Sequence, residues 1–394
     1  MTIEVNKEEA KKFLLFKQFL YPPQQLEGNA GIEKVFNTLR AIQYDPQNPC
    51  GRSIDLSLQA RVKNIHPSDY YHWLYTNRKG IEIYDKELCI VPIEDVPLCR
   101  KRFPPSRKRK YDKFIKEHEK ELDSLINFIK KNGTVSSNDI RDGRKVNIFW
   151  ETATWSKAAL DALWKTGKLI IAYRKNGRKY YDIPERVYGD KFIWEYDPED
   201  DNIWKLQIIR RIKCVGLLPI SGTGQGWQGL GTGKEIAPII SKLSDEKKLV
   251  KVKIGGIKRE FVINASDYDI ITKISEMDAD KRLCFLSPLD NILWDRNLVF
   301  EIFGFNYKWE TYTPVKHRMY GHYVLPILYN SNFIGRIEPK FLSTDNVLEI
   351  RGIWLEDHIY WNKNISEAFY KYLGTFKSYL KADEIKWVCN PPKH

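Results

Sequence analysis

The strongest constraint on this chain is that it repeats itself. Residues 163–183 lie over 243–263 without a gap at a spacing of about 80 residues. Lys168-Leu169-Ile170 falls on Lys248-Leu249-Val250, and Ile183 on Ile263. Each copy runs from a helical pattern into two short apolar runs, joined through Asn176-Gly177 in one and Gly255-Gly256 in the other. Those dipeptides accept the positive φ that a tight hairpin demands. An isolated hairpin is marginal in water, so each copy implies a module in which helices cover a hairpin.

The same order occurs nearer the N terminus. Apolar spacing predicts helices over 7–20, ended by Pro22-Pro23, over about 31–41, and up to Val62. His66-Pro67-Ser68-Asp69 reads as a helix start for Tyr70 to Tyr75, and 81–84 with 88–92 as a hairpin. Helices followed by a hairpin is the order of a winged-helix module. The second module is predicted as helices over 111–130, 136–142 and 157–165, the last capped by Thr154 or Ser156. The third is predicted as helices over 204–215 and 235–243 before its hairpin, with an acidic linker at 195–201. Beyond about residue 280 the pattern changes to strands at 323–329, 333–338 and 347–353 and a helix at 365–380. The expected fold is α+β: about three tandem winged-helix modules (1–105, 106–195 and 202–279), then a small antiparallel C-terminal β-barrel or sheet with a terminal helix (280–394).

Charge bears on the partner. The net charge is +13 on 394 residues, with 12 Trp and 22 Tyr. Such a surplus on a folded, aromatic-rich chain favours a polyanion, most often nucleic acid. The six cysteines are scattered without a CxxC pair, and the seven histidines show no HExxH spacing. No metal site and no cofactor are therefore expected. No signal peptide and no membrane span are read from the apolar runs, which implies a cytoplasmic, nucleoid-associated protein; a monomer is expected. The glycine-rich stretch 222–234 lacks the GxxxxGK[ST] spacing of a phosphate loop and is expected to be a flexible loop.

One short stretch carries potential chemistry: Arg40-Ala41-Ile42-Gln43-Tyr44-Asp45-Pro46. If it is extended, Gln43 and Asp45 share a face and Ile42 and Tyr44 point the other way. An amide that orients water beside a carboxylate that takes its proton is the smallest pair able to activate water. The same residues also suit a polar turn with an Asp cap. Basic residues at predicted loops and hairpin tips are candidate phosphate contacts: Arg107, Lys108, Arg109 and Lys110 beside Pro104-Pro105, Arg174, Lys175, Arg178 and Lys179 on the second hairpin, and Lys258 and Arg259 on the third.

These residues resemble a known family. Ala41-Ile42-Gln43-Tyr44-Asp45, with Arg52 and Arg61 downstream, is similar to the Gln–apolar–Asp/Gln signature of the YcaQ/AlkZ-like winged-helix DNA glycosylases. The stretch 285–296, Phe-Leu-Ser-Pro-Leu-Asp-Asn-Ile-Leu-Trp-Asp-Arg, resembles that family's LSPxDxxxWDR block. The runs 303–307, 312–314 and 318–327 and Ser156-Lys157-Ala158-Ala159-Leu160 also resemble it. Asp at position 45 points to the Asp-type, YcaQ-like branch; relatives with histidines shortly after the signature differ from this chain, which has Arg52-Ser53-Ile54-Asp55. The resemblance implies a monofunctional glycosylase that removes N7-alkylated purines and unhooks interstrand crosslinks in double-stranded DNA. It implies catalytic Gln43 and Asp45, with Arg52, Arg61, Arg318, Tyr320 and His322 approaching DNA. The alternative is a non-catalytic DNA-binding protein built from several winged helices, such as a transcriptional regulator.

Overall fold

The computed structural model describes residues 1–100, 105–148, 151–189, 202–278 and 281–392. Packing divides the chain into two compact units, 1–70 with 204–394, and 71–203. The expected linker at 195–201 lies outside the described residues.

The larger unit opens with the strand Thr2–Val5 and the helix Lys7–Lys17, whose Asn6 and Glu9 form a reciprocal capping box. Its second helix, Gly28–Leu39, ends because Arg40 turns left-handed (φ 61°). The helix Ser53–Gln59 follows, entirely buried. The predicted hairpin of the third module is present as Leu249–Ile254 and Phe261–Asn264, behind the helix Gly233–Asp245. Thr2–Val5 pairs parallel to Leu249–Ile254 and so adds a strand from the far end of the sequence. That pairing was not foreseen, because the strand's alternation of Thr, Ile, Glu and Val is too short to stand out from loop.

The C-terminal part is an open five-stranded sheet, in spatial order Leu283–Phe285, Leu325–Tyr329, Asn332–Leu342, Val347–Leu355 and Glu384–Trp387. The first four strands are antiparallel, as expected; the last runs parallel to its neighbour, which makes the sheet mixed. The helix Lys363–Leu380 lays Phe369, Tyr372 and Phe376 around the ring of Phe285, with centroids 5.8, 4.9 and 5.6 Å away. Full burial of one such aromatic side chain stabilises the fold by roughly 2–3 kcal/mol, so this cluster fixes the helix on the sheet.

The smaller unit holds the antiparallel hairpins Gly80–Tyr84 with Leu88–Pro92, and Ile170–Lys175 with Arg178–Asp182. The second turns through Asn176 (φ 52°) and Gly177 (φ 78°), as its sequence required. Two expectations fail here. The single helix over 111–130 is two, Pro105–Glu117 and Glu119–Asn132, interrupted at His118. The short helix over 136–142 is a turn: the Asp139 carboxylate takes both the N–H (2.7 Å) and the hydroxyl (2.8 Å) of Ser136. Such local side-chain bonding competes with a helix. A strand pair, Lys145–Ile148 with Glu151–Thr154, follows where none was expected.

Candidate active site

Beyond the left-handed Arg40 the chain is extended, and exposure alternates as expected. Ile42 and Tyr44 are buried while Gln43 and Asp45 are half-exposed on the opposite face. The alternation is enforced by Ser53, the first residue of the helix Ser53–Gln59. Its buried hydroxyl donates to the Gln43 carbonyl (2.8 Å) and accepts from the Asp45 N–H (3.0 Å). One hydroxyl therefore holds the backbone of both candidate residues in a single register.

The carboxylate of Asp45 divides its duties. Oδ1 accepts from the Gln47 N–H at 2.9 Å, which is the polar turn that Asp-Pro-Gln suits. Oδ2 makes no hydrogen bond among the described residues, and neither does the Gln43 amide. Burial raises the Asp45 pKa above the usual carboxylate value, opposed by the bond from Gln47. Burial above all, with Cys50 and then the Asp45 carboxylate adding to it, pushes the pKa of the Tyr323 phenol well up. One Asp45 oxygen thus shapes the loop and leaves the other free of hydrogen bonds among the described residues.

The floor beneath this stretch explains the 285–296 block. Asn291 donates to the Ala41 carbonyl (2.8 Å) and the Cys214 carbonyl (3.0 Å), and Arg210 donates to the Arg40 carbonyl (3.0 Å). Asp290 forms a two-pronged ion pair with Arg61 at 2.7 and 2.8 Å, both side chains 0% exposed. Gln18 adds its carbonyl oxygen to Arg61 (3.2 Å) and its amide to the Cys214 and Val215 carbonyls. Asp295 caps the helix Arg296–Phe303 through Leu298 N–H (3.1 Å) and receives the Gly226 N–H (3.3 Å). The glycine-rich loop is held rather than loose. Arg211 donates to the carbonyls of Gly226 and Gln228, and a side chain at Gly224 would collide with Asp295 at 2.6 Å. Asp290 and Asp295 are both fully buried and bonded within this floor.

Two residues past Asp45 the chain becomes the wall of a cleft of about 410 Å³, lined by Gln47, Asn48 and Pro49 and, opposite, by His322, Tyr323, Glu338 and Arg351. Thr311 ties the two sides together, donating to Gln47 Oε1 (2.8 Å) and contacting His322 Nε2 (3.0 Å). Glu338 accepts from the backbone N–H groups of His322 (2.6 Å) and Tyr323 (3.2 Å). His322, an expected DNA contact, thus lines a cleft with Gln47 and is joined to it through Thr311.

The remaining basic candidates separate by exposure. Arg61 is withdrawn from any phosphate by its burial with Asp290. Arg174 is likewise buried, donating to Glu82 at 2.8 and 2.6 Å, so its charge is spent inside the protein. Arg52 reaches Asp55 and Ser68, Lys179 pairs with Asp161 (2.9 Å) and Arg259 with Glu301 (2.6 Å). Arg318 braces its own loop through the carbonyls of Thr313 and Thr311. Tyr320 packs between Arg336 and Trp354. Lys175, Arg178 and Lys258 stand exposed at hairpin ends. Arg107, Lys108, Arg109 and Lys110 fall in the helix Pro105–Glu117, and their side chains lie outside the described residues, as do Lys101 and Arg102. Ser53, Asn291, Arg210 and Thr311 went unnoticed in the sequence. Only Asn291 had a signal, its place in the 285–296 block.

Among the described residues no cluster of histidine, cysteine and carboxylate side chains has metal-binding geometry, and no helix is long and apolar enough to cross a membrane. Comparison with solved structures finds Streptomyces sahachiroi DNA glycosylase AlkZ at a TM-score of 0.64 and 12% sequence identity. The match covers 98% of this chain and 99% of that one, and at such identity it establishes a shared fold. The family model described as DNA glycosylase AlkZ-like matches residues 36–374, a span that takes in the Gln43/Asp45 stretch, its Ser53 clamp and the whole 285–296 floor. This chain belongs to the AlkZ-like family and is a DNA glycosylase.

Proposed function

We propose that the enzyme hydrolyses the N-glycosidic bond of N7-alkylated purines in duplex DNA and unhooks crosslinks joined through guanine N7, with Asp45 and Gln43 acting on water. The single observation that carries this reading is the half-exposed face on which the unpartnered Asp45 Oδ2 and Gln43 amide stand, held in register by Ser53.

An N7-alkylguanine is cationic, so its C1′–N9 bond already has a good leaving group and no strong general acid is required. As the bond breaks, its electron pair neutralises the purine and positive charge develops on the sugar, as in glycoside cleavage. An anionic Asp45 stabilises that charge. It then accepts the proton of the water that closes on C1′, while the Gln43 amide orients that water. The products are the neutral alkylpurine and an abasic site. No lysine is needed for a Schiff base, so the enzyme is monofunctional. A crosslinked nucleotide stays tethered to the opposite strand and cannot rotate into a deep pocket; an open, half-exposed catalytic face accommodates it.

The test is base release from an N7-methylguanine duplex and from a duplex with an N7–N7 crosslink. Gln43→Ala is expected to slow release about tenfold or more while duplex binding persists, as for loss of a water-positioning group. A rate equal to wild type removes Gln43 from the mechanism, and no release by the wild-type enzyme from either duplex removes the proposed substrates. Ser53→Ala leaves the part-buried Asp45 N–H and Gln43 carbonyl without their shared partner. It should cost about 1–3 kcal/mol in chemical denaturation and slow release with little change in duplex affinity. Affinity itself should fall steeply with added salt, because exposed lysines and arginines displace counterions from phosphates; a flat response would argue against duplex binding.

A further inference from the structure

Pro46 has no backbone N–H, so the first one after Asp45 that can serve its carboxylate belongs to Gln47, and that residue is held from the far end of the sequence. Thr311 donates to Gln47 Oε1 at 2.8 Å across 264 positions, and its oxygen lies 3.0 Å from His322 Nε2. A hydroxyl has a single proton to give. The carbonyl oxygen of Gln47 can only accept, so it takes that proton, and the Thr311 oxygen accepts from His322 in turn. Nε2 of His322 therefore carries hydrogen, and Nδ1 is the bare nitrogen of the neutral ring. Nε2 carries hydrogen in the imidazolium too, so the chain holds in either charge state. It runs from His322 through Thr311 to the Gln47 side chain, and the Gln47 N–H ends on Asp45 Oδ1.

The far links are anchored. Glu310 accepts the N–H groups of Met319 (3.0 Å) and Tyr320 (2.9 Å), which closes the loop that begins at the buried Thr311. On the strand Asn332–Leu342, Glu338 accepts the His322 N–H (2.6 Å), and the Phe341 N–H donates to the Pro49 carbonyl (2.7 Å). Gln47 is thus fixed by its side chain and, two residues on, by its backbone.

We propose that Thr311 and His322 are positioning residues for base release, a role that rests on the catalytic reading of Asp45. Through Gln47 they keep Oδ1 in its turn, so that Oδ2 is the oxygen left to act on water. Freeing Gln47 lets the carboxylate rotate out of its productive geometry, and small misplacements of a reacting group are costly. It also removes the one bond that opposes the effect of burial on Asp45, so its pKa rises further. Of the titratable groups around this stretch, the Tyr323 phenol and the Cys50 thiol are both pushed up by burial and stay protonated. Asp55, paired with Arg52 on the helix Ser53–Gln59, is raised by burial as well; Asp45→Asn is the control that assigns the acid limb.

The experiment compares full-length wild type, Thr311→Val, Thr311→Ser, His322→Ala and His322→Gln in single-turnover base release from an N7-methylguanine duplex across pH. In parallel, 15N shifts of histidine-labelled protein read the tautomer, with His322→Gln assigning the signal. His322 should show the Nε2–H form. Thr311→Val and His322→Ala should each slow release about tenfold through lost positioning and move the acid limb to higher pH. Both break one chain, so the double variant should be no slower than either alone. Thr311→Ser keeps the hydroxyl and His322→Gln keeps an N–H near the place of Nε2, so both should recover most of the rate. An Nδ1–H ring at His322, a Thr311→Val enzyme with wild-type rate and limb, or Ser and Gln variants as slow as Val and Ala overturn the proposal. An Asp45→Asn enzyme as fast as wild type defeats the catalytic reading of Asp45 instead, and takes the positioning role with it even where the tautomer is as expected.

Discussion

Asp45→Asn is expected to lower base release from an N7-methylguanine duplex on the order of 100-fold or more, as for removal of a catalytic acid–base group, while the protein stays folded. The structure makes this substitution unusually clean. An asparagine side-chain oxygen still accepts the Gln47 N–H, so the turn survives, and the Ser53 clamp involves only backbone atoms of positions 43 and 45. What disappears is the charge. Because burial raises the Asp45 pKa, the folded state binds its proton more readily than the unfolded chain does. The stabilising contribution of the protonated form is therefore complete at low pH and is lost as pH rises through the raised value. At neutral pH the ionised carboxylate costs stability, and the asparagine variant should melt at or above the wild-type temperature. Stability gained where activity is lost is the pattern of a group kept for chemistry. The same shift sets the sign of the pH profile. kcat/KM should rise with pH along an acid limb centred above the ordinary aspartate value of about 3.9, and that limb should vanish in the residual activity of the variant. A variant that releases base at the wild-type rate would mean that Asp45 serves only its turn.

The second large effect concerns the floor. Asp290→Ala should destabilise the fold by about 3–5 kcal/mol, because it leaves the Arg61 guanidinium buried without its counter-charge. The double variant Arg61→Met with Asp290→Leu removes both charges and should recover much of that loss, since well-packed apolar groups replace a buried pair at little or no cost. Denaturation midpoints of the three proteins decide the matter. If the double variant retains base release while Asp290→Ala unfolds, the pair acts only by supporting Asn291 and the segment above it. If the double variant is stable but inactive, the charges themselves matter to the reaction.

How far the sequence could be read follows from the range over which each interaction acts. The hairpins at 81–92, 170–182 and 249–264 were legible because alternation and turn residues are local properties. So was the extended, two-faced conformation of Ile42, Gln43, Tyr44 and Asp45, which a helix end and a proline bracket. Local bonding also misled. Leu122, Leu125 and Ile129 continue the helical spacing of Tyr111 and Phe114, so the break at His118 was hidden, and Ser136 with Asp139 formed a turn where apolar spacing implied a helix. Among the cations, sequence registered charge but not its destination: Arg61 and Arg174 read like Lys175 and Lys258, yet each finds a carboxylate inside the fold.

By itself the sequence determined the repeated helix-and-hairpin order, the basic surplus, the pairing of Gln43 with Asp45 on one face, and the likeness to the AlkZ-like family. Each of these is written in neighbouring residues or in total charge. Tertiary structure alone decided that Ser53 sets the register of Gln43 and Asp45. It also decided that Asn291 and Arg210 hold the chain that leads into them, that Asp290 neutralises Arg61, and that Thr311 joins Gln47 to His322. Those contacts join residues from eight to more than two hundred positions apart. A buried polar group must find its partner wherever the fold places one, and no local pattern specifies where that is.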